Sequence, residues 1–257
     1  VTVRVAQTGP VARLLIDRPA KRNAISLQTA AELAAAVARA EGDPATRVIV
    51  LTGAGDRAFA SGADLDELPA AMVTPEEAAA YDARIGALYD ALQGCRLPVI
   101  ARIQAAAIGG GCLLAIACDV RVAAETATFA LPAARIGLML SAREHGLILE
   151  SLAPSRARLL LFSGRRLTAQ AALAWGLVDL VVPAGRLDER VDELAQEIAA
   201  CAPRAVTAAK RMVRAVMRGS DVEAVAGHCY RAVYESEDLR EGLAAVKARR
   251  TPLFKGR

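Results

Sequence analysis

The feature that most restricts this chain is an alternation: short apolar runs of strand length, each followed by a helix-start signal. Residues 1–5 alternate, Thr8-Gly9-Pro10 turns, and residues 11–16 return, which predicts a hairpin. Ser26 predicts an N-cap for a helix to about Ala40, with Leu27, Ala30, Ala34 and Val37 on one face. Residues 48–51 read as a buried strand, and Phe59-Ala60 as a short one breaking into the loop Ser61-Gly62-Ala63-Asp64. Thr74-Pro75-Glu76-Glu77 combines a cap, a proline at the first helical position and an acid three residues after the cap, so a helix runs to about Gln93. Residues 98–103 form the next strand, which leads through Gln104 and three alanines into Gly109-Gly110-Gly111 and an apolar helix ending near Cys118-Asp119. Two further strands, 120–123 and 128–130, precede a helix from Ser141. Strand groups that hand over to helices define an α/β fold class.

From about Leu187 the pattern is helical only, over 188–201, 203–217, 222–235 and 239–247. Such short helices need a surface to pack on, and a neighbouring subunit is a natural one. The expected division is a core over residues 1–186 and a helical oligomerisation module over 187–257.

Composition bounds the function. At 257 residues and 54% apolar the chain buries enough surface to offset its ordering entropy, which excludes disorder. The net charge of +4 on so long a chain leaves no electrostatic footprint of a nucleic-acid binder. The basic stripe Lys210, Arg211, Arg214 and Arg218 reads as a solvated helix face. No run approaches the roughly 18 apolar residues of a membrane span, and the opening residues carry no signal core, so the expected setting is cytoplasmic and without a membrane partner. Five cysteines without a CxxC pair and two distant histidines predict reduced thiols and no metal site.

Two glycine-bearing turns carry the chemistry. Ser61-Gly62-Ala63-Asp64 and Gly109-Gly110-Gly111 each follow a buried strand, and the second opens a helix. Glycine lets backbone N–H groups approach a ligand, and the helix dipole favours negative charge at the same place, so together the turns can grip one oxyanion. Either alone reads first as a tight turn; two, each directly after a buried strand, are more informative than one. Leu114 stands where GxGxxG needs its third glycine, and Gly53-Ala54-Gly55-Asp56 lacks a following Lys-Ser/Thr, so neither a Rossmann site nor a P-loop fits.

These turns, with Arg18-Pro19, Asn23-Ala24, Val48 to Gly53, Phe59 to Leu65, Pro98 to Ala101, Cys118-Asp119, Phe129-Ala130, Ile136-Gly137, Leu161 to Gly164, Ala171 to Val178 and Phe254-Lys255, occur in the order found in the crotonase superfamily, the enoyl-CoA hydratase and isomerase group, which the chain resembles over nearly its whole length. The resemblance implies a ClpP-like spiral of ββα units, trimers often paired into hexamers, and an acyl-CoA substrate in lyase or isomerase chemistry of the kind found in fatty acid metabolism. It implies no cofactor beyond the coenzyme A of the substrate. By the same resemblance, the N–H groups of Ala63 and Gly110 are the oxyanion hole for the thioester oxygen. Ala60, Gly62, Asp64, Leu65, Gly109, Leu113, Ala133, Leu138 and Ser141 are then further substrate-binding candidates, Asp64 reading also as a structural carboxylate that closes its loop, and Lys21, Arg22 and Ala24 border the CoA nucleotide. Lys255, from a neighbouring chain, is a candidate for its phosphates.

The chain departs from the family where hydratases carry two glutamates: those positions are Leu113 and Ala133. An aspartate that serves certain isomerases is replaced by Ser141. Adding water across a double bond needs groups that move protons, and neither leucine nor alanine does. Glu144 and His145 are the nearby candidates, although Ser141-Ala142-Arg143-Glu144 is also a capping box and His145 fits a supporting role. Cys112, at a helix start, is either a nucleophile or a small packing residue. A non-catalytic acyl-CoA-binding paralogue is the rival reading. A serine-protease version of the fold fails for want of a Ser–His pair on suitable turns.

Overall fold

A computed structural model describes residues 1–71 and 73–257. Among the described residues ten strands form two sheets. In chain order they are β1 (Val3–Thr8), β2 (Val11–Ile16), β3 (Val48–Gly53), β4 (Ala58–Ala60), β5 (Val99–Ile103), β6 (Ala106–Ile108), β7 (Val120–Ala124), β8 (Thr128–Ala130), β9 (Leu167–Thr168) and β10 (Leu180–Val182). The larger sheet has the order β1-β2-β3-β5-β7-β10 and is parallel except for the β1–β2 hairpin. The smaller has the order β4-β6-β8-β9, with its first three strands parallel. The helices are α1 (Leu27–Gly42), α2 (Leu68–Ala71), α3 (Pro75–Gly94), α4 (Gly110–Ala117), α5 (Ala142–Ser151), α6 (Pro154–Ser163), α7 (Ala169–Trp175), α8 (Leu187–Ala199), α9 (Pro203–Arg218), α10 (Val222–Tyr234) and α11 (Glu237–Ala248).

The larger sheet is covered on both faces, which is why its strands read as near-continuous apolar runs. In β3, Ile49 and Leu51 face the core shared with α1 and α3, where Leu33, Val37, Leu88 and Leu92 are buried. Val48 and Val50 face the other way, onto Leu187, Val191, Ala195 and Ala199 of α8. Those four recur at every fourth residue and form one helical stripe. Burying the Leu187 or Val191 side chain contributes about 1.5–3 kcal/mol, and each alanine about 0.8 kcal/mol. The sequence groups everything from residue 187 as one helical region; α8 is the helix that covers the sheet, and α9, α10 and α11 pack in series beyond it.

The helix starts follow the sequence signals. The Ser26 hydroxyl accepts from Thr29 N–H, and Thr74 and Ser141 each close a complete capping box. Among the described residues no helix is long and apolar enough to cross a membrane.

Candidate active site

Parallel pairing of β4 with β6 brings the two glycine turns together. Ala58 pairs with Ala106 and Ala60 with Ala107, so the strands end side by side and the chain leaves both at the same edge, where open parallel sheets form their crevices. Gly62 has φ +106°, and a Cβ there would lie 2.9 Å from the Ile108 carbonyl oxygen and 3.4 Å from the Gly110 nitrogen. A Cβ on Gly110 would lie 3.5 Å from the Ala63 nitrogen, and one on Gly111 would overlap the Ala60 carbonyl. The two turns are thus in backbone contact. Among the described residues, the N–H groups of Ala63 and Gly110 have no protein acceptor, although their neighbours do: Asp64 donates to the Ile25 carbonyl at 3.1 Å and Gly109 to that of Ala130 at 2.8 Å. Gly110 also opens α4, whose dipole directs positive potential to this point.

The loop expected to border a nucleotide is fastened to the first turn. Ser61 N–H donates to the Arg22 carbonyl at 3.1 Å, the Ser61 hydroxyl to that of Lys21 at 3.3 Å, and Ile25 N–H to that of Gly62 at 2.8 Å. Arg22 and Asn23 both hold positive φ, and the buried Asn23 amide donates to the carbonyls of Ala54 (2.9 Å) and Ala58 (2.8 Å). Ala24 is buried, whereas Lys21 and Arg22 are exposed. Arg18 donates to the Ala24 carbonyl at 2.6 Å and to Asp64 at 2.7 Å. Burial alone would raise the Asp64 carboxyl, but the Arg18 hydrogen bond and charge, the Asp66 amide and the Lys21 ammonium outweigh it, and Asp64 sits below the usual carboxylate range. Asp64 is therefore a structural anion of the turn.

Leu113 is fully buried. Ala133 is half-buried and opens a 3-10 turn, its carbonyl accepting from Leu138 N–H at 3.0 Å. Leu138 and Ser141 are also half-buried, and Leu65 is exposed. Cys112 is fully buried, and burial pushes its thiol up to about 12, which identifies it as a packing residue rather than a thiolate nucleophile.

Glu144 carries out its capping duty with one oxygen: Oε2 accepts from Ser141 N–H at 2.8 Å and from its hydroxyl at 3.1 Å. Burial raises the Glu144 carboxyl, and the nearby Asp82 charge adds to this against the lowering bonds from Ser141. The His145 Nδ1 lies 2.9 Å from the Ser141 carbonyl. A carbonyl only accepts, so Nδ1 is the donor in this contact.

Three residues the sequence reading passed over lie beside Glu144. Tyr81, Asp82 and Tyr89 belong to α3, which α5 meets through Arg143: this guanidinium crosses Gly86, where a Cβ would overlap it, and pairs with Asp90 at 3.2 Å. Tyr89 lies behind the second turn, donating to the Gly110 carbonyl at 3.4 Å. Its phenol is pushed well up by burial and then by the Glu144 charge. The Tyr81 hydroxyl is buried with no partner among the described residues, and burial followed by the charges of Glu67, Asp64, Asp82 and Glu144 raises it to about 12. Asp82 is raised by burial. The signal for this face was the spacing Asp82-Gly86-Asp90, one residue per helical turn with a glycine at its centre.

Lys255 is not brought to the turns within one chain. Its N–H donates to Asp238 at 2.7 Å, and the preceding Phe254 carbonyl accepts from Arg47 at 2.5 Å, at the start of β3. The turns lie past the other end of the strands, about 20 Å away for a six-residue strand. Of the basic stripe, Lys210 is not solvated: it holds Asp119 at 2.6 Å and the Leu97 carbonyl at 2.8 Å with a side chain only 8% exposed.

Comparison with known proteins shows the family and the fold. The family model described as enoyl-CoA hydratase/isomerase matches residues 6–257. Curated relatives include the carnitinyl-CoA dehydratase of Proteus mirabilis, 36% identical with 100% of this chain and 99% of the relative covered, and that of Salmonella typhi, 34% identical with the same coverage. Among solved structures, an enoyl-CoA hydratase/carnithine racemase from Magnetospirillum magneticum superposes with a TM-score of 0.96 at 34% identity, covering 100% of this chain and 96% of that one. An enoyl-CoA hydratase from Bacillus anthracis gives 0.93 at 33% identity with both chains fully covered.

Proposed function

Since this chain belongs to the enoyl-CoA hydratase/isomerase family, whose members act on CoA thioesters, we propose that it forms an enolate from an acyl-CoA thioester and resolves it as a lyase or isomerase. The observation that carries this reading is the meeting of two N–H groups, on Ala63 and Gly110 at the start of a helix, that have no protein acceptor among the described residues. Negative charge grows on the thioester oxygen as the α-proton leaves, so donors already in place stabilise the transition state more than the substrate. One such donor is worth about 10²–10³ in kcat.

The proton-handling group in this proposal is Glu144. Its carboxylate takes the α-proton, and the C–H electron pair moves through the α-carbon onto the thioester oxygen. When the enolate collapses, the electrons expel a β-hydroxyl, which leaves as water with the proton from Glu144; alternatively the same proton returns to a γ-carbon and the double bond shifts. One carboxyl suffices because it releases the proton it has just received, and positioned proton transfer contributes about 10²–10⁴-fold. A single-carboxyl route fits Leu113 and Ala133 better than hydration by two glutamates. The naming of relatives as carnitinyl-CoA dehydratases supports the water-loss branch. His145, tied to Ser141 through Nδ1, steadies the turn that holds Glu144.

The remaining parts of the reading concern assembly. Val213, Val216 and Met217 on α9, Tyr230 and Tyr234 on α10, and Leu243 and Val246 on α11 are all at least half exposed, an apolar surface of the kind that subunit contacts cover. A homotrimer or homohexamer would bury it and could bring Lys255 to a neighbour's CoA.

The test is α-proton exchange. Saturated and 3-hydroxy acyl-CoA esters are incubated with enzyme in D2O and followed by mass spectrometry. Deuterium uptake at the α-carbon, with enoyl-CoA formed from the hydroxy ester and both lost in Glu144→Gln, is the expected result. Tight binding without exchange would instead assign the chain to acyl-CoA sequestration.

A further inference from the structure

A cavity lies away from the glycine turns, between α9, α10, the turn before β5 and the C-terminal tail, with a volume of about 250 Å³. Arg96, Arg204, Arg211 and His228 line it, and no acidic residue does. Several partly buried basic groups elsewhere face a carboxylate, as in Arg18–Asp64, Arg121–Asp179 and Lys210–Asp119. Among the described residues, none of the three cavity guanidiniums forms an ion pair with a carboxylate. Two of them are held by neutral main-chain oxygens. Arg96 donates to the Glu41 carbonyl, and Arg204 donates to the carbonyls of Gly256 at 3.2 Å and Ala232 at 3.4 Å. The Glu41 carboxylate accepts from the Arg96 main-chain N–H at 2.6 Å.

Three positive groups around one hollow repel each other and focus a positive potential into it. Fixing guanidiniums by their backbone contacts leaves further N–H donors for a ligand, and the planar fork of arginine matches phosphate oxygens two at a time. Thr207 ties the structure together at the same place, its hydroxyl donating to the Arg96 carbonyl at 3.2 Å. We propose that this cavity binds a small phosphorylated molecule of diphosphate size, with Arg96, Arg204 and Arg211 holding its oxygens and His228 closing one side. The site is distinct from the acyl-thioester turns: Arg96 precedes β5, whereas the turns follow the far ends of β4 and β6.

Isothermal titration of the full chain with inorganic pyrophosphate and with orthophosphate, at constant ionic strength set by potassium chloride, tests the proposal. Saturable binding of pyrophosphate at one site per chain is expected, with orthophosphate weaker. Arg204→Ala with Arg211→Ala weakens it by about tenfold or more, since hydrogen bonds to charged groups are lost, while α-proton exchange on acyl-CoA and the unfolding midpoint stay at wild-type values. Arg204→Lys with Arg211→Lys keeps the charge and loses the fork, so its affinity falls between the two. Absence of saturable heat with either anion, or equal affinity in wild type and the double alanine variant, overturns the proposal. So does displacement of pyrophosphate by free CoA, which would make the cavity part of the substrate site.

Discussion

Replacing Gly62 by alanine separates the fold from the chemistry. At φ +106° a side chain costs about 1–3 kcal/mol in backbone strain. The added methyl would lie 2.9 Å from the Ile108 carbonyl, and relieving that overlap costs about another 1–3 kcal/mol. A domain stable by about 5–15 kcal/mol survives this, so Gly62→Ala should fold with a lowered unfolding midpoint. The same methyl would sit 3.4 Å from the Gly110 nitrogen, so relief pushes apart the two turns whose amides are proposed to share one oxygen. Losing the alignment of one donor lowers kcat for α-proton exchange by about 10²–10³ with a smaller change in KM. Gly9→Ala is the control: φ is +56° with no atom within 4 Å of the added Cβ, so it carries the backbone cost alone, about 1–2 kcal/mol, with exchange unchanged. Both variants are followed by urea unfolding and by mass-spectrometric exchange. If Gly62→Ala loses stability as expected yet exchanges within about threefold of wild type, too small a loss for a displaced donor, the paired amides do not carry the chemistry.

Other consequences follow from the same geometry. A base raised by burial becomes a carboxylate only above the ordinary glutamate range, so exchange should rise with pH through a midpoint above 4.5, and Glu144→Gln should abolish that limb. Tyr81→Phe removes a buried hydroxyl without a protein partner and should be neutral or slightly stabilising in urea unfolding; a loss above about 1 kcal/mol would reveal a hydrogen bond the structure lacks. Asp64 and Glu32 are held below their ordinary values, Glu32 at about 2, so the stability they contribute is present at neutral pH and is lost as pH falls from the unfolded carboxylate range. Thermal melts from pH 7 to pH 2 should therefore flatten in Asp64→Asn. Cys112 should resist thiol reagents in the folded enzyme and react only on unfolding, as a buried thiol raised to about 12 requires.

The elements legible in the sequence were those with local causes. Ser26, Thr74 and Ser141 announce α1, α3 and α5 through caps that need only neighbours in the chain, and β2 and β8 have the bounds their apolar runs predict. The two turns were readable because glycine is needed where backbones touch. β6 was missed: Ala106-Ala107-Ile108 has little strand character and exists because β4 and β8 pair with it from both sides. α6 and α7 are likewise not legible: α6 starts from Ala153 with no side-chain cap, and α7 spans only Ala169–Trp175. Lys210 was read as solvated because its partner Asp119 is 91 residues away. Tyr81 and Asp82 were hidden for the same reason, since their importance arises only when α5 is laid across α3.

The central claim is tested most directly by a structure of the enzyme with a non-reactive acyl-CoA analogue bound. The account predicts the acyl carbonyl oxygen within hydrogen-bond distance of both the Ala63 and Gly110 nitrogens, with Glu144 facing the α-carbon. An oxygen bound to neither amide, with the acyl chain seated elsewhere, would contradict it.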